Sequence, residues 1–531
     1  MMMNKYYILR DVSISVYEQI SPLEKVAEIL HIDKTEIADL QLLKRSLDLR
    51  RKQEDIYYVY TFRIAFYTKA PYHKKLEPCR VQEDGAVKLS RPKRAFNPVI
   101  IGCGPAGLFA AHRFMQYGIT PVIVERGQRI DQRKKDINAF LQMRQLNVES
   151  NVCFGEGGAG TFSDGKLTSR SKDRRQREIF EVLVQYGADP SILYEQRPHL
   201  GTDVMQRVIH NMTNDLMRQG AEICFGTKAK DIALHRCHVR AVICDDREIE
   251  TDTVVFAGGH SARDFYQLLF EKQVALEAKN FAVGVRIEHL RQDIDKSTYQ
   301  KHYGKVPLPA AEYILKYKDA SGRGAYTFCN CPGGVVVACV TERDTVCVNG
   351  MSYSGRNAQN TNSAVVVTVT KEDFVDKSPL AGMVFQRQLE QRAFAAAGGD
   401  YTAPIMSVGA FLNHADTRGF LPVVPSYGAG TKEVNLHHLF SDEIAQTLKN
   451  ALRDFGKKLH GFDSAKAMLT AVESRTSSPV RILRNENAES INTGGLYVAG
   501  EGSGYAGGIV SSAIDGLRVA ENILAKNEKQ R

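Results

Sequence analysis

Residues 97–127 read NPVIIGCGPAGLFAAHRFMQYGITPVIVERG, an apolar strand, a glycine-rich turn, a helix and a second apolar strand. Gly102, Gly104 and Gly107 have the spacing G-x-G-x-x-G directly after the first strand. Gly102 permits the tight turn, Gly104 lets backbone approach a pyrophosphate, and Gly107 lets the helix pack close to the strand. Glu125 ends the second strand 18 residues after Gly107, where an acid bonds ribose hydroxyls. The stretch predicts a Rossmann-like dinucleotide-binding unit, and the acid argues against a 2′-phosphate on that nucleotide.

The composition sets outer limits on the kind of protein this is. A chain of 531 residues is too long for one core, so two or three domains are expected. The net charge of +9 favours anionic small molecules without indicating nucleic acid. No apolar run approaches the roughly 18 residues that span a bilayer, and the N-terminus lacks the apolar region of a secretory signal. Ten irregularly spaced cysteines indicate free thiols, so we expect a cytoplasmic protein without membrane contact.

Changes of pattern divide the chain. Short β-branched and aromatic runs around one helical segment predict a small α/β domain over residues 1–70. An aperiodic linker with prolines follows over residues 71–96. The dinucleotide-binding domain is predicted in two parts, 97–278 and 470–531, because its strand-and-glycine pattern returns near the C-terminus. Residues 279–469 then form an inserted α+β substrate or cap domain.

Within the insertion, residues 280–370 are rich in β-branched runs and predict strands. Residues 379–470 predict mostly helix, with a loop at 420–435. Two further glycine-rich turns follow apolar strands, at Gly258-Gly259 and after residue 499. Paired glycines at strand ends indicate backbone that passes close to a cofactor, although an ordinary β-turn has the same pattern.

Three motifs together resemble FAD-dependent oxidoreductases of the two-dinucleotide-binding-domain flavoprotein superfamily. They are VIIGCGPAGLFAA…VIVERG, TVVFAGGHSARD and LYVAGEGSGYAGGIVSSAIDGLRVA, and they span most of residues 97–525. FGEGGAGTFSDGKL, CNCPGGVVV, NGMSYSGRN and ESRTSSPVRI are similar to a bacterial branch described only as FAD-dependent or NAD-utilizing dehydrogenases. The resemblance implies an α/β fold, a Rossmann-like FAD-binding domain and FAD as the cofactor. It implies no substrate.

Two departures from the superfamily pattern bear on the reaction. The last strand ends in Gly500-Glu501, where the superfamily commonly has Gly-Asp, and the longer acid still reaches a ribitol hydroxyl or a neighbouring group. No second G-x-G-x-x-G occurs between residues 200 and 490, and no redox-active C-x-x-x-x-C follows the first glycine-rich helix. NAD(P)H therefore either docks transiently without its own Rossmann unit, or electrons come from another donor.

The glycine run at residues 151–170, NVCFGEGGAGTFSDGKLTSR, lies along the flavin ring in the resembling proteins. It is expected to be a backbone cradle, with Lys166 placing positive charge near the ring's N1–C2=O end. The full set of predicted cofactor-binding residues is Gly102, Gly104, Pro105, Ala106, Gly107, Glu125, Arg126, Gly157, Gly158, Ala159, Gly160, Thr161, Ser163, Lys166, Ala257, Gly258, Gly259, Gly500, Glu501, Gly507, Gly508 and Ile509.

The predicted catalytic residues are Cys331, Tyr353, Arg356 and Lys166. Cys331, with Cys329, is either a redox or catalytic thiol near the flavin or a small buried hydrophobe. Tyr353 and Arg356 lie in a polar loop, where they either contact substrate or form a surface turn. Paired C-x-x-C knuckles are missing, so no metal is predicted.

Basic runs at Arg133–Lys135 and Arg170–Arg177 are either solvated helix faces or a dock for the phosphates of transient NAD(P)H. The N-terminal cluster Lys44, Arg45, Arg50, Arg51 and Lys52 is interleaved with acids, so nucleic acid is not expected.

The expected function is an FAD-dependent dehydrogenase or reductase that transfers hydride or electrons through the flavin N5, with a small-molecule substrate. One alternative is a flavin-dependent enzyme that modifies a macromolecule, with the N-terminal domain recognising a protein or redox partner. Another is an FAD-bound binding protein without catalysis.

Overall fold

The N-terminal unit of the computed structural model, which describes residues 5–50, 52–79, 96–169, 171–413 and 423–529, is an antiparallel sheet with one helix. Its elements are β1 (Tyr7–Ser15), α1 (Pro22–Leu30), β2 (Ile37–Asp48), β3 (Tyr57–Phe66) and β4 (Leu76–Pro78), in the sheet order β2-β3-β1-β4. Ser21 and Glu24 cap α1 reciprocally. Phe62 and Ile64, at alternate positions of β3, belong to the same apolar core as the buried face of α1.

The linker predicted at residues 71–96 begins later than expected. Residues 76–78 pair with β1 as β4, so the N-terminal unit extends past residue 70. Residues 80–95 of that linker lie outside the described residues, as do Arg51 and Arg170 of the basic runs and positions 420–422 of the loop predicted at 420–435.

The dinucleotide-binding unit begins with the strand–turn–helix that the glycine spacing predicts. Its elements are β5 (Val99–Ile101), α2 (Pro105–Gln116), β6 (Val122–Glu125), α3 (Ile130–Met143), α4 (Arg175–Gln185), α5 (Thr202–Arg218), β7 (Glu222–Phe225), β8 (Ala229–His235), β9 (His238–Cys244), β10 (Glu248–Glu250), β11 (Val254–Phe256), α6 (Arg263–Glu271) and β12 (Leu276–Ala278). Strands β8, β9 and β10 form a small antiparallel sheet of their own.

The inserted unit is built on a second, larger sheet. Its elements are β13 (Phe281–Leu290), α7 (Arg291–Tyr299), β14 (Lys316–Lys318), β15 (Gly324–Cys331), β16 (Val335–Ala338), β17 (Val348–Met351), β18 (Asn360–Val369), α8 (Ala381–Ala396), β19 (Ala403–Ser407), α9 (Val408–Asn413), β20 (Thr431–Glu433), α10 (Asp442–Lys458) and β21 (Met468–Glu473). The sheet order is β14-β15-β18-β13-β21-β19-β20, and β16 pairs with β17 separately. Residues of α8 and α10 share an apolar core with β13 and β18.

The boundary predicted at residues 469/470 cuts through the inserted sheet. Strand β21 pairs with β13 on one side and β19 on the other, so it belongs to the insertion and not to the second part of the dinucleotide-binding unit. The stretch 379–470 is also less helical than predicted, because it contributes β19, β20 and part of β21. Strands β19 and β21 are buried runs without the clear alternation that would have distinguished them from helix.

The chain then forms β22 (Val480–Ile482), which pairs with β12, and returns to the parallel sheet of the dinucleotide-binding unit through β23 (Leu496–Val498), which α11 (Ile509–Lys529) follows. The completed parallel sheet has the order β23-β11-β5-β6-β7. Strands β5, β11 and β23 are buried along their whole length, as parallel strands covered on both faces should be. The interrupted Rossmann-like α/β architecture predicted from sequence is therefore confirmed. No helix among the described residues is long and apolar enough to cross a bilayer.

Candidate functional site

The G-x-G-x-x-G turn joins β5 to α2 and cannot accept side chains at its first and third glycines. Gly102 has φ +107°, and a Cβ there would lie 2.5 Å from the carbonyl oxygen of Ala257. A Cβ at Gly107 would lie 2.0 Å from the carbonyl oxygen of Gly102. Gly104 is the N-cap of α2 without a side-chain cap, and Pro105 is the first helical residue. The open N-terminus of α2 thus faces outward as an anion-binding surface.

Glu125, at the end of β6, ties three loops together. Its buried carboxylate accepts bonds from the N–H groups of Cys103 at 2.8 Å, Gly127 at 2.9 Å and Gly155 at 3.0 Å. A carboxylate has about four lone-pair positions, so these three N–H groups leave one unused. Glu125 therefore also holds the glycine run against the first turn, a role that the motif alone does not predict.

Arg126 is committed to ion pairs. Its guanidinium lies 2.6 Å from Asp264 and 2.5 Å from Glu149, above the ring of Phe154. The charge of Arg126 is thereby balanced by two carboxylates of the protein itself.

The glycine run is ordered by a buried arginine. Gly157 and Gly158 have φ +82° and +63°, and a short 3-10 helix spans Gly158–Phe162. Arg133 on α3 is fully buried, with 0% exposure, so it is neither a solvated residue nor a phosphate dock as its basic run suggested. Its guanidinium donates to four carbonyl oxygens of the run at 2.7–2.8 Å, those of Asn151, Val152, Glu156 and Gly158. These hydrogen bonds therefore fix the conformation of the glycine run.

The two hydroxyls predicted to contact the cofactor are used within the run. Thr161 donates to the carbonyl oxygen of Glu156 at 3.0 Å and is fully buried, and Ser163 donates to that of Gly160 at 2.8 Å. Ala159 is exposed, and Gly160 lies beside Pro105 and Ile509, the first residues of α2 and α11. The run thus meets two helix N-termini through Gly158 and Gly160.

The second and third glycine turns border open space. A Cβ at Gly259, Gly507 or Gly508 would have no atom within 4 Å. Glu501 faces His260, with 3.4 Å between Oε1 and Nδ1.

Gly258 and Gly500 instead lie in close packing. A Cβ at Gly258 would meet the ring of Phe256 at 2.7 Å, and one at Gly500 would meet Cβ of Ala106 at 2.8 Å. These two glycines shape the wall of the open space and do not line its centre.

Five side chains from three separate segments meet at the end of the glycine run, and we call them the Asp164 cluster: Asp164, Lys166, His199, Ser352 and Arg356. Ser352 Oγ donates to Asp164 at 2.6 Å, and His199 Nε2 lies 3.0 Å from Ser352 Oγ. Arg356 and Lys166 lie 3.4 Å and 3.8 Å from the other Asp164 oxygen. Arg356 also pairs with Glu312 at 2.8 Å.

The electrostatics fix the direction of this hydrogen-bonded chain. Asp164 is 1% exposed; burial favours its acid form, but the charges of Lys166 and Arg356 hold its pKa below the usual value. Burial first, and then the charge of Arg356, lower the pKa of His199 to about 4, so the imidazole is neutral at pH 7. Because Ser352 donates to Asp164, neutral His199 donates its Nε2 proton to Ser352. This is not a hydrolytic triad, in which the serine would donate to the histidine.

The structure unites two of the four predicted catalytic residues in this cluster, Lys166 and Arg356. Tyr353 is adjacent in sequence but 52% exposed. Cys331 is fully buried beneath Gly350, and burial raises the pKa of its thiol well above the usual value. Sequence reasoning did not select Asp164 or Ser352, although both lie in quoted motifs. An acid two residues before Lys166 was the available signal.

Three comparisons place this geometry among known proteins. A family model described as FAD-dependent protein, C-terminal domain-like, matches residues 280–476. A protein of Clostridium beijerinckii described as uncharacterized is 40% identical over 527 residues, which cover 98% of each chain. The chain belongs to this family of FAD-dependent proteins. A domain model of unknown function also matches residues 12–65 of the N-terminal unit.

Solved structures are similar to this FAD-dependent protein at low identity. Glycine oxidase from Bacillus cereus is 13% identical with a TM-score of 0.32, covering 81% of this chain and 96% of that one. L-Proline dehydrogenase from P. horikoshii is 10% identical with a TM-score of 0.35, covering 82% and 95%. At these values the neighbours carry no argument about residues or reaction, so the fold assignment rests on the parallel sheet and its glycine turn.

The residues present fit FAD. Two helix N-termini converge with the glycine run, glycines border open space where a Cβ would meet nothing, and Glu125 and Glu501 provide carboxylates at either end. This arrangement suits a pyrophosphate flanked by two polyhydroxyl groups. The predictions of FAD as cofactor and of an FAD-dependent oxidoreductase are confirmed. The individual cofactor contacts stay predictions.

Proposed function

We propose that this FAD-dependent protein is a dehydrogenase or reductase of a small molecule that binds at the Asp164 cluster. One observation carries the proposal. A directed chain from His199 through Ser352 to Asp164 lies with two cations at the point where the glycine run meets the inserted unit. Polar side chains concentrated and oriented in this way beside a cofactor-binding loop are typical of a reaction site.

The first glycine turn and the N-terminus of α2 would hold the pyrophosphate of FAD, with Glu125 at the adenosine ribose. The turn before α11 and the glycine run would flank the flavin. A bound flavin supplies an acceptor and donor of two electrons. The protein's own part is to place the substrate and to manage the proton that accompanies them.

His199 is the proposed proton-handling group. When Nε2 carries the proton given to Ser352, Nδ1 keeps a lone pair that accepts a proton from a substrate O–H or N–H. Ser352 and Asp164 fix the ring orientation, and the Asp164 carboxylate stabilises the imidazolium that then forms. Lys166 is one quarter exposed, and its one ion pair within the described part of the chain is the long contact to Asp164, so it has N–H donors to spare for a substrate oxygen.

NAD(P)H as a transient electron donor remains part of the proposal. Arg175 and Arg177, offered earlier as a phosphate dock, pair with Glu521 and Glu181. A nicotinamide would therefore have to approach the open side of the flavin site without those cations.

A second candidate, modification of a macromolecule, is favoured by one contact of the N-terminal unit. The main chain of Arg45 on β2 pairs with residues 194 and 196, and its side chain pairs with Glu195. This segment leads directly to His199, so the N-terminal unit borders the proposed substrate site. A domain that recognises a partner would be well positioned there.

Anaerobic mixing of the FAD-loaded protein with NADH and with NADPH tests the first candidate. Loss of the flavin's visible absorbance with either nucleotide supports a nicotinamide-linked enzyme. If neither nucleotide reduces the flavin, and amine, hydroxy-acid and amino-acid donors also fail, the small-molecule proposal is wrong. Deletion of residues 1–95 then tests the second candidate. If the N-terminal unit serves only to recognise a partner, reduction of the flavin by a small molecule should be unchanged in the shortened protein.

A further inference from the structure

Strand β15 ends in an irregular turn that carries two cysteines, Cys329-Asn330-Cys331. The pairing of β15 with β18 shifts register between Phe328 and Cys331, as at a β-bulge. Cys329 has φ +47°, a left-handed conformation that residues other than glycine rarely adopt. Such a conformation persists only where the surroundings impose it, and it often marks a functional position.

The two thiols have different surroundings. Cys329 is partly exposed, whereas Cys331 is completely buried. A Cβ built at Gly350 would lie 2.7 Å from the Cys331 sulfur, so only glycine fits above it. Cys331 Sγ lies 3.3 Å from the carbonyl oxygen of Cys329 and therefore close to its sequence partner.

A buried arginine joins the two cysteines. Arg286 Nη1 donates to the Cys329 carbonyl at 3.0 Å and lies 3.8 Å from Cys331 Sγ. Its charge is balanced by Glu473, bound in a two-pronged pair at 2.5 Å and 3.1 Å. The turn is thus fixed by the inserted sheet, with a partly exposed residue at Cys329 and a completely buried one at Cys331.

We propose that Cys329 and Cys331 form a dithiol–disulfide pair in which Cys329 attacks disulfide compounds and Cys331 resolves the product. The proposal concerns thiol chemistry and does not depend on the reaction proposed at the Asp164 cluster. It assigns the attacking role to Cys329 and not to Cys331, the thiol that the sequence favoured.

The step balances with a disulfide, R–S–S–R, as the oxidant. The Cys329 thiolate attacks one sulfur, a mixed disulfide forms, and one R–S⁻ leaves and takes a proton. Cys331 then loses its proton and attacks the Cys329 sulfur, which releases the second R–S⁻. The dithiol loses two electrons and two protons, and the disulfide compound becomes two thiols.

The electrostatics around Cys329 support this assignment. The hydrogen bond from Cys331 is the largest influence; it and the charges of Arg286 and Lys166 lower the pKa of Cys329 below its usual value, against burial and the charge of Asp164. Cys329 is therefore the more acidic thiol of the pair, whereas Cys331 stays protonated until it is needed.

Alkylation of the FAD-loaded protein with iodoacetamide, followed by digestion and mass spectrometry, tests whether Cys329 is the attacking thiol. Between about pH 6.5 and about pH 8.5 the Cys329 rate should rise less than the rate of N-acetylcysteine, whose ordinary thiol pKa gives a rise of at least about 50-fold. A Cys329 rate that follows N-acetylcysteine, or labelling of Cys331 before Cys329, would overturn the assignment.

Reaction with oxidised glutathione tests whether Cys331 resolves the mixed disulfide on Cys329. The wild-type protein should form an intrachain Cys329–Cys331 bond, Cys331→Ser should keep glutathione on Cys329, and Cys329→Ser should give neither product. Cys237→Ser, which removes an exposed thiol elsewhere, should behave as the wild type. Retained FAD content shows that each variant is folded. Folded Cys331→Ser protein without glutathione on Cys329 would reject the proposal.

Discussion

Replacing Arg133 by methionine should remove the order of the glycine run and with it most of the affinity for FAD. Arg133 is the buried donor to four carbonyls of that run. Burial lowers the pKa of its guanidinium, but only to about 10, so it is charged at neutral pH. Methionine retains the buried stem and leaves the carbonyls without this partner.

The size of the effect follows from the bonds lost. A hydrogen bond to a charged group contributes about 1.5–3 kcal/mol, and such contributions do not add fully when one side chain makes several. We therefore expect Arg133→Met to remove about 3–5 kcal/mol of stabilisation of the glycine run, as when one partner of a buried charged contact is removed. FAD binding must then supply the free energy that orders the run. If this requires about 3 kcal/mol, the Kd for FAD rises about 100-fold, because 1.4 kcal/mol corresponds to a tenfold change.

Calorimetric titration of the apoprotein with FAD measures this change. Lys134→Met is the matched control, because it removes one cation from an exposed position of the same helix. Arg133→Lys should fall between the two, since an ammonium retains the charge but cannot span four acceptors. If Arg133→Met binds FAD as tightly as Lys134→Met, the run does not depend on Arg133 and the reasoning fails.

Three further outcomes are expected. At a pH between the ordinary histidine pKa and the folded value of about 4, His199 is protonated in the unfolded state and neutral in the folded state, so the free energy of unfolding falls as pH drops through this range. In urea unfolding, the free energy of unfolding of His199→Gln should therefore fall by about 2 kcal/mol less than that of the wild type between about pH 7 and about pH 4.5. An equal fall in both proteins would contradict the buried neutral imidazole. Lys166→Met should lower the flavin midpoint potential by about 10–20 mV in dye-coupled reduction, equivalent to about 0.5–1 kcal/mol; an unchanged potential would place Lys166 away from the ring. Gly107→Val should prevent accumulation of folded, flavin-containing protein, because its Cβ would overlap the Gly102 carbonyl oxygen; normal flavin content after purification would refute the close packing.

The sequence predicted what is local. The roles of Gly102 and Gly107 follow from a few neighbouring residues, and the structure reproduces the steric limits that the motif implies. The returning C-terminal strand was also recognisable, because a glycine turn after an apolar run recurs there.

Contacts between distant segments were beyond sequence reasoning. Asp164 and Ser352 are 188 positions apart and meet only because the insertion folds back onto the glycine run. Arg133 resembles a solvent-facing residue in a basic run, and its partners come from a loop whose path the sequence does not give. The sequence shows the pair of cysteines, but their different burial depends on a register shift in β15.

A crystal structure of the protein with FAD bound tests the central claim most directly. The isoalloxazine ring should lie along residues 157–166, within van der Waals distance of about 4 Å, with one edge facing Lys166 and the Asp164 cluster and the pyrophosphate at the N-terminus of α2. An isoalloxazine ring bound elsewhere, with the Asp164 cluster remote from it, would contradict the proposed site.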